Sequence, residues 1–241
     1  MNCYIDIHSH ILPGLDDGAK NFDISLRMLR QAEEEQISDM ILTPHYKPMR
    51  HNPSPDRAED VLYELEERKQ AAGISVQLHL GNEIYYSSEV IPALREGKAF
   101  TMAGSSYVLT EFNPGEDYAY IRDAAYSLLA EGYSPILAHI ERYECLMDKK
   151  VKVEELYDMG CCLQVNASSI TGGSGMECKR NAKWLLKREY VHFVASDCHD
   201  DKRRTPGLAE AAAYVSRKYG EAYCSRIFRD NAGALLHGSY I

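Results

Sequence analysis

The feature that most constrains the fold is an alternation of short apolar runs with longer amphipathic segments. Runs rich in Ile, Val, Leu and Tyr predict strands at 3–7, 39–43, 75–80, 106–110, 135–138, 161–165 and 191–195. The segments that follow them predict helices at 23–35, 54–70, 88–96, 117–131, 153–159, 174–189 and 207–219. Seven such units in succession predict a parallel sheet with helical crossovers, either open and doubly wound or closed as a barrel.

No linker or change of composition divides the chain, so we expect a single domain over residues 1–241. Three of the predicted helices carry a start signal. Asp23 and Ser54 are predicted N-caps, and Ser174 is a third candidate.

The charge balance is acidic, with 27 basic and 36 acidic residues and a net charge of −9. This argues against a nucleic-acid or anionic-membrane binder, since both need basic surface. No apolar run approaches the ~20 residues needed to span a bilayer, and the N-terminus lacks the basic start and apolar stretch of a signal peptide. The seven cysteines, odd in number and without a C-x-x-C spacing, predict reduced thiols. We therefore expect a cytoplasmic protein without membrane insertion, and its oligomeric state stays open.

Each predicted strand delivers a polar side chain at the point where its apolar run stops. In strand order these are His8 and His10, His45, Glu83, Glu111, His139, Asn166, and Asp197 with His199. Barrel strands converge at their C-terminal ends, whereas an open sheet would scatter the ends along an edge, so the pattern favours a closed barrel. A lone histidine at a strand end is usually an ordinary hydrogen-bonded surface residue, but five of the nine histidines fall at these places. One shared metal site explains these five together. The other four histidines, His51, His79, His192 and His237, do not lie at predicted strand ends and are not candidate ligands.

The chemistry of the candidate ligands narrows the choice of metal ion. Imidazoles and carboxylates without thiolates suit Mn²⁺, Fe, Zn²⁺ or Mg²⁺. With Asp17 from the turn at 15–18, nine candidate ligands result: His8, His10, Asp17, His45, Glu83, Glu111, His139, Asp197 and His199. One ion accepts about four to six protein ligands, so nine predict a cluster of two or three ions.

Two arginines follow the predicted ligands and indicate a phosphoryl substrate. Arg142 comes after the fifth-strand histidine and Arg204 after the seventh-strand ligands. A guanidinium group beside a metal cluster suits phosphate because its planar fork pairs with two oxygens. Arg203 is the alternative to Arg204, and the spacing from Asp197 favours Arg204.

With these residues assembled, the chain resembles the PHP (polymerase and histidinol phosphatase) superfamily. Within it, the chain is similar to the manganese-dependent bacterial protein tyrosine phosphatases of capsule and exopolysaccharide loci, the CpsB/CapC type. The matching stretches run through essentially the whole chain in order: 6–18 (Asp-Ile-His-Ser-His-Ile-Leu-Pro-Gly-Leu-Asp-Asp-Gly), 43–45, 81–83, 110–112, 138–143, 164–166 and 195–199.

The resemblance implies an α/β fold, a distorted TIM-like (β/α)₇ barrel with three divalent ions at its mouth, manganese favoured and iron, zinc or magnesium as alternatives. It assigns one ion to His8, His10, Glu83 and Asp197, a second to Glu83, Glu111 and His139, and a third to Asp17, His45 and His199. Arg142 and Arg204 would hold the substrate phosphate. The implied activity is hydrolysis of phosphotyrosine on a bacterial tyrosine kinase that regulates capsular or exopolysaccharide synthesis. A metal-bridging hydroxide would attack phosphorus without a covalent enzyme intermediate.

Several alternatives compete with this reading. The same metals and arginines would serve a phosphatase of a small metabolite such as histidinol phosphate or a nucleotide. A non-catalytic docking barrel would show eroded ligands, and none of the expected ones is missing. Cys198 and Arg204 satisfy the C-x₅-R-[ST] pattern of cysteine-dependent phosphatases, but that loop lacks glycine and holds two aspartates, which raise a thiol pKa. The Gly-rich stretch 171–175 lacks the Gly-Lys-Ser/Thr ending of a P-loop and predicts a loop before a helix.

Overall fold

The strands of the computed structural model, which describes residues 3–50 and 52–241, all run parallel. They are β1 (Tyr4–Ser9), β2 (Ile37–Leu42), β3 (His45–Tyr46), β4 (Gln77–Leu80), β5 (Glu83–Tyr85), β6 (Tyr107–Glu111), β7 (Ser134–Leu137), β8 (Cys162–Asn166) and β9 (Phe193–Ala195). Each of the seven predicted strands is present. Two of them continue after a short break, β2 into β3 and β4 into β5, so that seven strand positions surround one axis.

The sheet curls until its first and last strands meet. Three strands pair in the order β1-β2-β4 and six in the order β3-β5-β6-β7-β8-β9. The amide of Gly81 bonds the Leu42 carbonyl at 2.9 Å where the two groups adjoin. On the other side a parallel bridge joins Ser9 to Cys198, and the His10 amide donates to the Cys198 carbonyl at 2.9 Å. The fold is therefore α/β with a barrel-like parallel sheet, and the predicted distortion lies at these two seams.

Eleven α-helices surround this sheet within the described ranges. They are α1 (Phe22–Glu34), α2 (Pro55–Ala71), α3 (Val90–Arg95), α4 (Tyr118–Ala130), α5 (Glu144–Asp148), α6 (Val151–Asp158), α7 (Ala167–Thr171), α8 (Met176–Lys187), α9 (Ala209–Tyr219), α10 (Glu221–Ser225) and α11 (Asn231–Leu236). All seven predicted helices are confirmed to within a few residues. The sequence reading missed the short α5 and α7 and the C-terminal pair α10 and α11, which are joined by a π-helical turn over Arg226–Asp230.

Of the predicted N-caps, one is confirmed. The Ser54 hydroxyl accepts a hydrogen bond from the Arg57 amide at 3.2 Å, as expected of a cap. The prediction of Asp23 as an N-cap is wrong, because Asn21 caps α1 by accepting a hydrogen bond from the Ile24 amide at 3.0 Å. The prediction of Ser174 as an N-cap is also wrong, since Gly175 occupies the N-cap position of α8 and the Ser174 hydroxyl contacts the Ser168 hydroxyl instead.

Two buried clusters hold the layers together. The larger lies between the sheet and the surrounding helices. The smaller, which we call the inner cluster, comprises Ile5, Ile7, Ile41, Met102, Tyr107, Leu109, Ile136, Ala138, Cys162, Phe193, Ala195, Ala232 and Leu235. Its last two members belong to α11, which packs at the end where the strands begin. Thus the C-terminal helix missed by the sequence closes the base of the barrel and leaves the opposite mouth for polar residues.

A register slip in β1 changes the direction of its side chains between base and mouth. Asp6 pairs with Met40 and Ser9 with Leu42, so that one more residue lies on β1 than on β2 between these pairs. Such a bulge re-aims the side chains that follow it. Ile7 accordingly packs in the inner cluster while His8 turns toward the mouth, where its ring nitrogen lies 3.2 Å from Gln164 Oε1.

Candidate metal centre

All nine predicted ligands and both predicted arginines meet at the mouth of the barrel. A cavity of about 230 Å³ there is lined by Asp17, His45, Lys47, Glu83, Glu111, His139, Arg142, Asp197, His199 and Arg204. His8 and His10 lie buried beside it and contact Glu83. Lys47, which follows the second strand, lines the same cavity and was missed by the sequence reading, since a lysine in a loop carries no distinguishing pattern.

The donor atoms form three groups, in each of which the atoms lie within 4.8 Å of one another. The groups are His8, His10 and Asp197; His45, Glu83 and Glu111; and His10, Asp17, His45 and His199. The groups overlap, because His10 and His45 each belong to two. The ligand sets implied by the resemblance differ from these groups, since they place His139 with Glu83 and Glu111. His139 does approach Glu111, with its Nε2 3.7 Å from Glu111 Oε1.

Glu83 lies at the centre of these groups. Its Oε2 lies 3.2 Å from His8 Nε2, 3.3 Å from His10 Nε2 and 3.1 Å from His45 Nδ1. Its other oxygen is 3.0 Å from His139 Nε2. A carboxylate with four imidazoles around it is suited to bridge cations.

The buried donors fit divalent cations rather than ordinary hydrogen bonding. His8 Nε2 and His10 Nε2 face each other at 3.2 Å, and the buried Nδ1 of His45 makes no hydrogen bond although Glu83 Oε2 lies 3.1 Å from it. Buried polar atoms normally have hydrogen-bond partners. Imidazole nitrogens that converge with no N–H or O–H group to bond them therefore indicate a cation that accepts their lone pairs. The donor set, nitrogen and carboxylate oxygen without sulfur, suits Mn²⁺, Fe, Zn²⁺ or Mg²⁺.

Ionisation in the metal-free site reflects the same crowding. Burial lowers the pKa of His8, but the charges of Glu83 and Asp197 outweigh it and hold that pKa above its usual value. Burial alone would raise the pKa of Glu83 and of Asp197, yet the neighbouring histidines hold both well below the ordinary range. Glu111 differs, since burial and the nearby charge of Glu83 raise its pKa. The two central carboxylates are therefore charged at neutral pH, as metal ligands must be.

Two of the candidate ligands have left-handed backbone conformations. The φ angle is 34° at His139 and 54° at Asp197. Non-glycine residues seldom adopt such angles, and they persist where the surrounding structure imposes them, often at functional sites. Both residues lie two positions after the last residue of a strand, His139 after β7 and Asp197 after β9, so this turn aims their side chains across the mouth.

The turn at 16–18 contributes a residue that the sequence reading passed over. Asp16 Oδ2 accepts a hydrogen bond from His10 Nδ1 at 2.7 Å, and the same oxygen is 3.0 Å from the His45 amide. Although burial favours the protonated acid, these bonds hold the pKa of Asp16 at about 2. Asp16 thereby orients His10 with Nε2 toward the site, whereas its neighbour Asp17 faces His45 and His199 at 3.4 and 3.6 Å. The Asp16-Asp17 pair marked the turn in the sequence. Only the contacts in the structure show that Asp16 orients a ligand and that Asp17 faces the site.

The arginines approach one oxygen of Asp197 from the cavity side. Its Oδ2 lies 2.7 Å from an Arg204 nitrogen and 3.3 Å from an Arg142 nitrogen, whereas Oδ1 faces the histidines. Both arginines also line a second cavity of about 660 Å³, whose wall includes Arg203. Of the two candidates, Arg204 lines the 230 Å³ cavity, which we call the metal-ligand cavity, whereas Arg203 lines only the second cavity.

The competing motifs do not form sites of their own. Cys198 is fully buried, and burial together with the nearby Asp6 raises the pKa of its thiol well above the usual value, which excludes an exposed thiolate nucleophile. The stretch 171–175 is the end of α7 and the loop before α8. His79 pairs with Asp39, His192 accepts from the Leu163 amide, and His237 contacts the Gly233 carbonyl, all away from the mouth. His51 lies outside the described residues.

Comparison with known proteins gives matches over nearly the whole chain. Residues 4–237 match the family model described as capsular polysaccharide synthesis, CpsB/CapC. The tyrosine-protein phosphatase CpsB of Streptococcus pneumoniae is 34% identical over 238 residues, covering 96% of this chain and 98% of the relative. The tyrosine-protein phosphatase YwqE of Bacillus subtilis is 30% identical over 237 residues, covering 98% and 93%.

Solved structures agree. A crystal structure from the work on B. subtilis YwqE and S. pneumoniae CpsB, described as unique metal-dependent tyrosine phosphatases, superimposes with a TM-score of 0.93 at 30% identity, over 98% of this chain and 96% of the other. The phosphotriesterase homology protein of Escherichia coli matches with a TM-score of 0.62 at 11% identity, over 98% and 99% of the two chains. The second match supports the barrel fold alone. Within the described part of the chain, no helix has the length and apolar character that crossing a membrane requires.

Proposed function

We propose that this chain, which belongs to the CpsB/CapC family of capsular polysaccharide synthesis, is a metal-dependent phosphatase that hydrolyses phosphotyrosine in proteins. The observation that carries the proposal is the meeting of nine histidine and carboxylate side chains with two arginines in or directly beside one cavity. Relatives named tyrosine-protein phosphatases are at least 30% identical over more than nine-tenths of the chain. The combination suits phosphate-ester hydrolysis better than any redox or cysteine-based chemistry.

The proposed ligands are His8, His10, Asp17, His45, Glu83, Glu111, His139, Asp197 and His199, holding three divalent ions with manganese favoured. Three overlapping donor groups support that number. When bound, such ions supply Lewis-acid charge at the phosphoryl oxygens and lower the pKa of water toward neutrality. The chain contributes the aligned imidazoles, the central carboxylate of Glu83 and a site shielded by the barrel wall.

Arg142 and Arg204 are the proposed phosphate-binding residues. They share Asp197 Oδ2, and their side chains are 30% and 43% exposed, so they can turn outward to a phosphate dianion. Two guanidinium groups there neutralise charge on the equatorial oxygens, which phosphoryl transfer requires. Phenoxide, with a pKa of about 10, leaves more readily than an alkoxide, so the scheme asks little of a general acid.

A small inner cavity and a larger outer one adjoin at the two arginines, and together they would accommodate a phosphotyrosyl segment of a protein. The metal-ligand cavity holds about 230 Å³, enough for the phosphate, and Arg142 and Arg204 separate it from the 660 Å³ cavity. Ser168, Thr171 and Ser174 line that outer cavity. A phosphotyrosyl segment would place its phosphate inside and its flanking residues outside.

The proposed partner is a bacterial tyrosine kinase that regulates capsular or exopolysaccharide synthesis, and the proposed location is the cytoplasm. The capsular synthesis family supports the first statement. All seven cysteines are free thiols, two of which are adjacent in β8 and just before it, and this supports a reducing compartment.

Hydrolysis of a phosphotyrosyl peptide by manganese-reconstituted protein tests the proposal. We expect activity that is lost with a chelator, restored by Mn²⁺ and unaffected by thiol alkylation. Faster hydrolysis of histidinol phosphate or a nucleotide in a parallel panel would favour the metabolite alternative. Loss of activity in Cys198→Ser with its metal content intact would favour the cysteine mechanism.

A second variant tests the outer cavity. Arg203→Ala should raise the KM for an acidic phosphotyrosyl peptide about 2- to 5-fold, the range of an exposed charge pair, and leave hydrolysis of p-nitrophenyl phosphate unchanged. Arg180→Ala, an exposed arginine of α8 paired with Glu177, is the matched control. Equal effects of Arg203→Ala on both substrates would contradict an extended substrate.

A further inference from the structure

Strand β8 has no predicted metal ligand, yet it carries two buried amides beneath the site. Gln164 is fully buried and Asn166 is 1% exposed. Residues two apart on a strand face the same side, so both point toward the predicted ligands. Burying two amides is costly unless their hydrogen bonds are satisfied, which makes their partners informative.

The direction of every hydrogen bond in this pair follows from one backbone amide. The His139 N–H can only donate, and it lies 2.8 Å from Gln164 Oε1, which identifies that atom as the carbonyl oxygen. His8 Nδ1 lies 3.2 Å from the same oxygen and must therefore be the protonated nitrogen of its ring. The lone pair of neutral His8 is then on Nε2, the atom that faces Glu83 and His10.

The amide nitrogen of Gln164 extends this series of hydrogen bonds through Asn166 to the carboxylate of Asp197. Gln164 Nε2 donates to Asn166 Oδ1 at 2.7 Å, which leaves Asn166 Nδ2 to donate to Asp197 Oδ2 at 2.8 Å. This bond and Arg204 occupy Oδ2, so that Oδ1 is the oxygen presented to His8 and His10 at 3.6 and 3.5 Å. The Asn166 backbone is held in turn, since its amide donates to Glu141 at 3.1 Å.

We propose that Gln164 and Asn166 act as a positioning relay, which selects the Nε2-ligating tautomer of His8 and directs Oδ1 of Asp197 into the metal site. The relay rests on the metal site of the proposed function. It joins β1 and β8 to the residues that follow β7 and β9, so one amide pair couples the orientation of ligands that are 189 positions apart in sequence. Partners of this kind, behind the ligands, typically change metal affinity or activity 10- to 100-fold when lost.

Metal affinity provides the first test. Gln164→Met keeps the approximate shape and removes all three polar contacts, and we expect Mn²⁺ affinity, measured by competition with a chelator dye, to fall about 10- to 100-fold. Gln164→Glu retains the acceptor for His8 and His139 but loses the donor to Asn166, so its affinity should lie between those of Gln164→Met and the wild type. Thr110→Val, which removes a buried β6 hydroxyl that donates to the Ile136 carbonyl of β7, is the control for loss of a buried polar group.

The tautomer of His8 provides the second test, and its decisive part uses the wild-type protein alone. In zinc-loaded wild-type protein, nitrogen-15 NMR should show His8 protonated at Nδ1, with a slowly exchanging ring proton, and bound through Nε2. That proton should exchange faster in Gln164→Met and stay protected in Thr110→Val. Protonation at Nε2 in the wild type, or an unchanged Mn²⁺ affinity in folded Gln164→Met, would overturn the relay. Failure of the wild type to bind Mn²⁺ or Zn²⁺ would instead overturn the proposed metal site.

Discussion

The two ends of the barrel are built from the same strands and have opposite chemistry. At the base, α11 and the strand beginnings bury aliphatic and aromatic side chains such as Leu235 and Phe193. At the mouth, the same strands end in histidines and carboxylates that are just as buried, with His8 fully buried and Glu83 1% exposed. Strand β1 contains the change within six residues, at the slip between Asp6 and Ser9.

This contrast separates the sources of stability and function. Apolar burial at the base stabilises the fold by about 25 cal/mol per Å². The mouth instead confines like-charged carboxylates and left-handed backbone at His139 and Asp197, features that cost free energy in the absence of cations. Changes at the mouth should therefore affect metal binding and activity, and changes at the base should affect stability.

The largest expected effect comes from the mouth, in Asp197→Asn. Asparagine tolerates the left-handed conformation of this position, so the fold should persist, while the loss of the charged ligand lowers kcat/KM by more than about 100-fold. Elemental analysis and phosphotyrosyl-peptide kinetics on the same preparation measure both effects. Full metal content with normal activity would remove Asp197 from the site.

Gly18→Ala should be the next most severe change at the mouth. A Cβ atom on Gly18 would stand 2.1 Å from the His10 carbonyl oxygen and 2.5 Å from His10 Cβ, so the turn and His10 must move apart. We expect at least about a tenfold loss of Mn²⁺ affinity, comparable to losing a residue that orients a ligand. Gly115→Ala, where an added Cβ meets nothing within 4 Å, is the matched control. Equal affinities of the two variants would show that His10 does not depend on this turn.

At the base, Leu235→Ala should show the opposite pattern. Leu235 is fully buried in the inner cluster, and truncating such a side chain costs about 2–5 kcal/mol. Chemical denaturation of the metal-free protein should report that loss of unfolding free energy, whereas the metal content of the folded fraction should equal that of the wild type. Loss of metal without loss of stability would break the distinction between the two ends.

A smaller effect at the base comes from His192, beside the start of β9. Burial, with the nearby charge of Arg226, lowers its pKa to about 4, against about 6.5 in an unfolded chain. Between these values the unfolded state binds the extra proton, so stability present above pH 6.5 is lost as the pH falls toward 4, by about 3 kcal/mol at most.

His192→Asn keeps an acceptor for the Leu163 amide and cannot titrate. The difference in unfolding free energy between wild type and variant, followed from pH 7 to pH 4, isolates this residue from the titrating groups at the mouth. A constant difference over that range would show that His192 is not held neutral by burial.

Much of this arrangement could be predicted from local patterns. Strand and helix periodicity located all seven predicted strands and all seven predicted helices, because each depends on residues a few positions apart. The candidate ligands could be named because parallel strands carry their terminal side chains to one face. The short α5, α7 and α10 escaped notice because a single helical turn has too few residues to show a period.

What the tertiary structure alone decided are the contacts between residues far apart in the chain. Asp16 and Asp17 look alike in sequence, and only closure of the barrel gives the first to His10 and the second to His45 and His199. The amides of Gln164 and Asn166 gain their meaning from His8 and Asp197, which reach them from other strands. Sequence determines which side chains arrive at the mouth, since strand ends and side-chain alternation are local. Partner, tautomer and orientation follow from packing, since they depend on atoms that only the closed sheet brings within hydrogen-bonding distance.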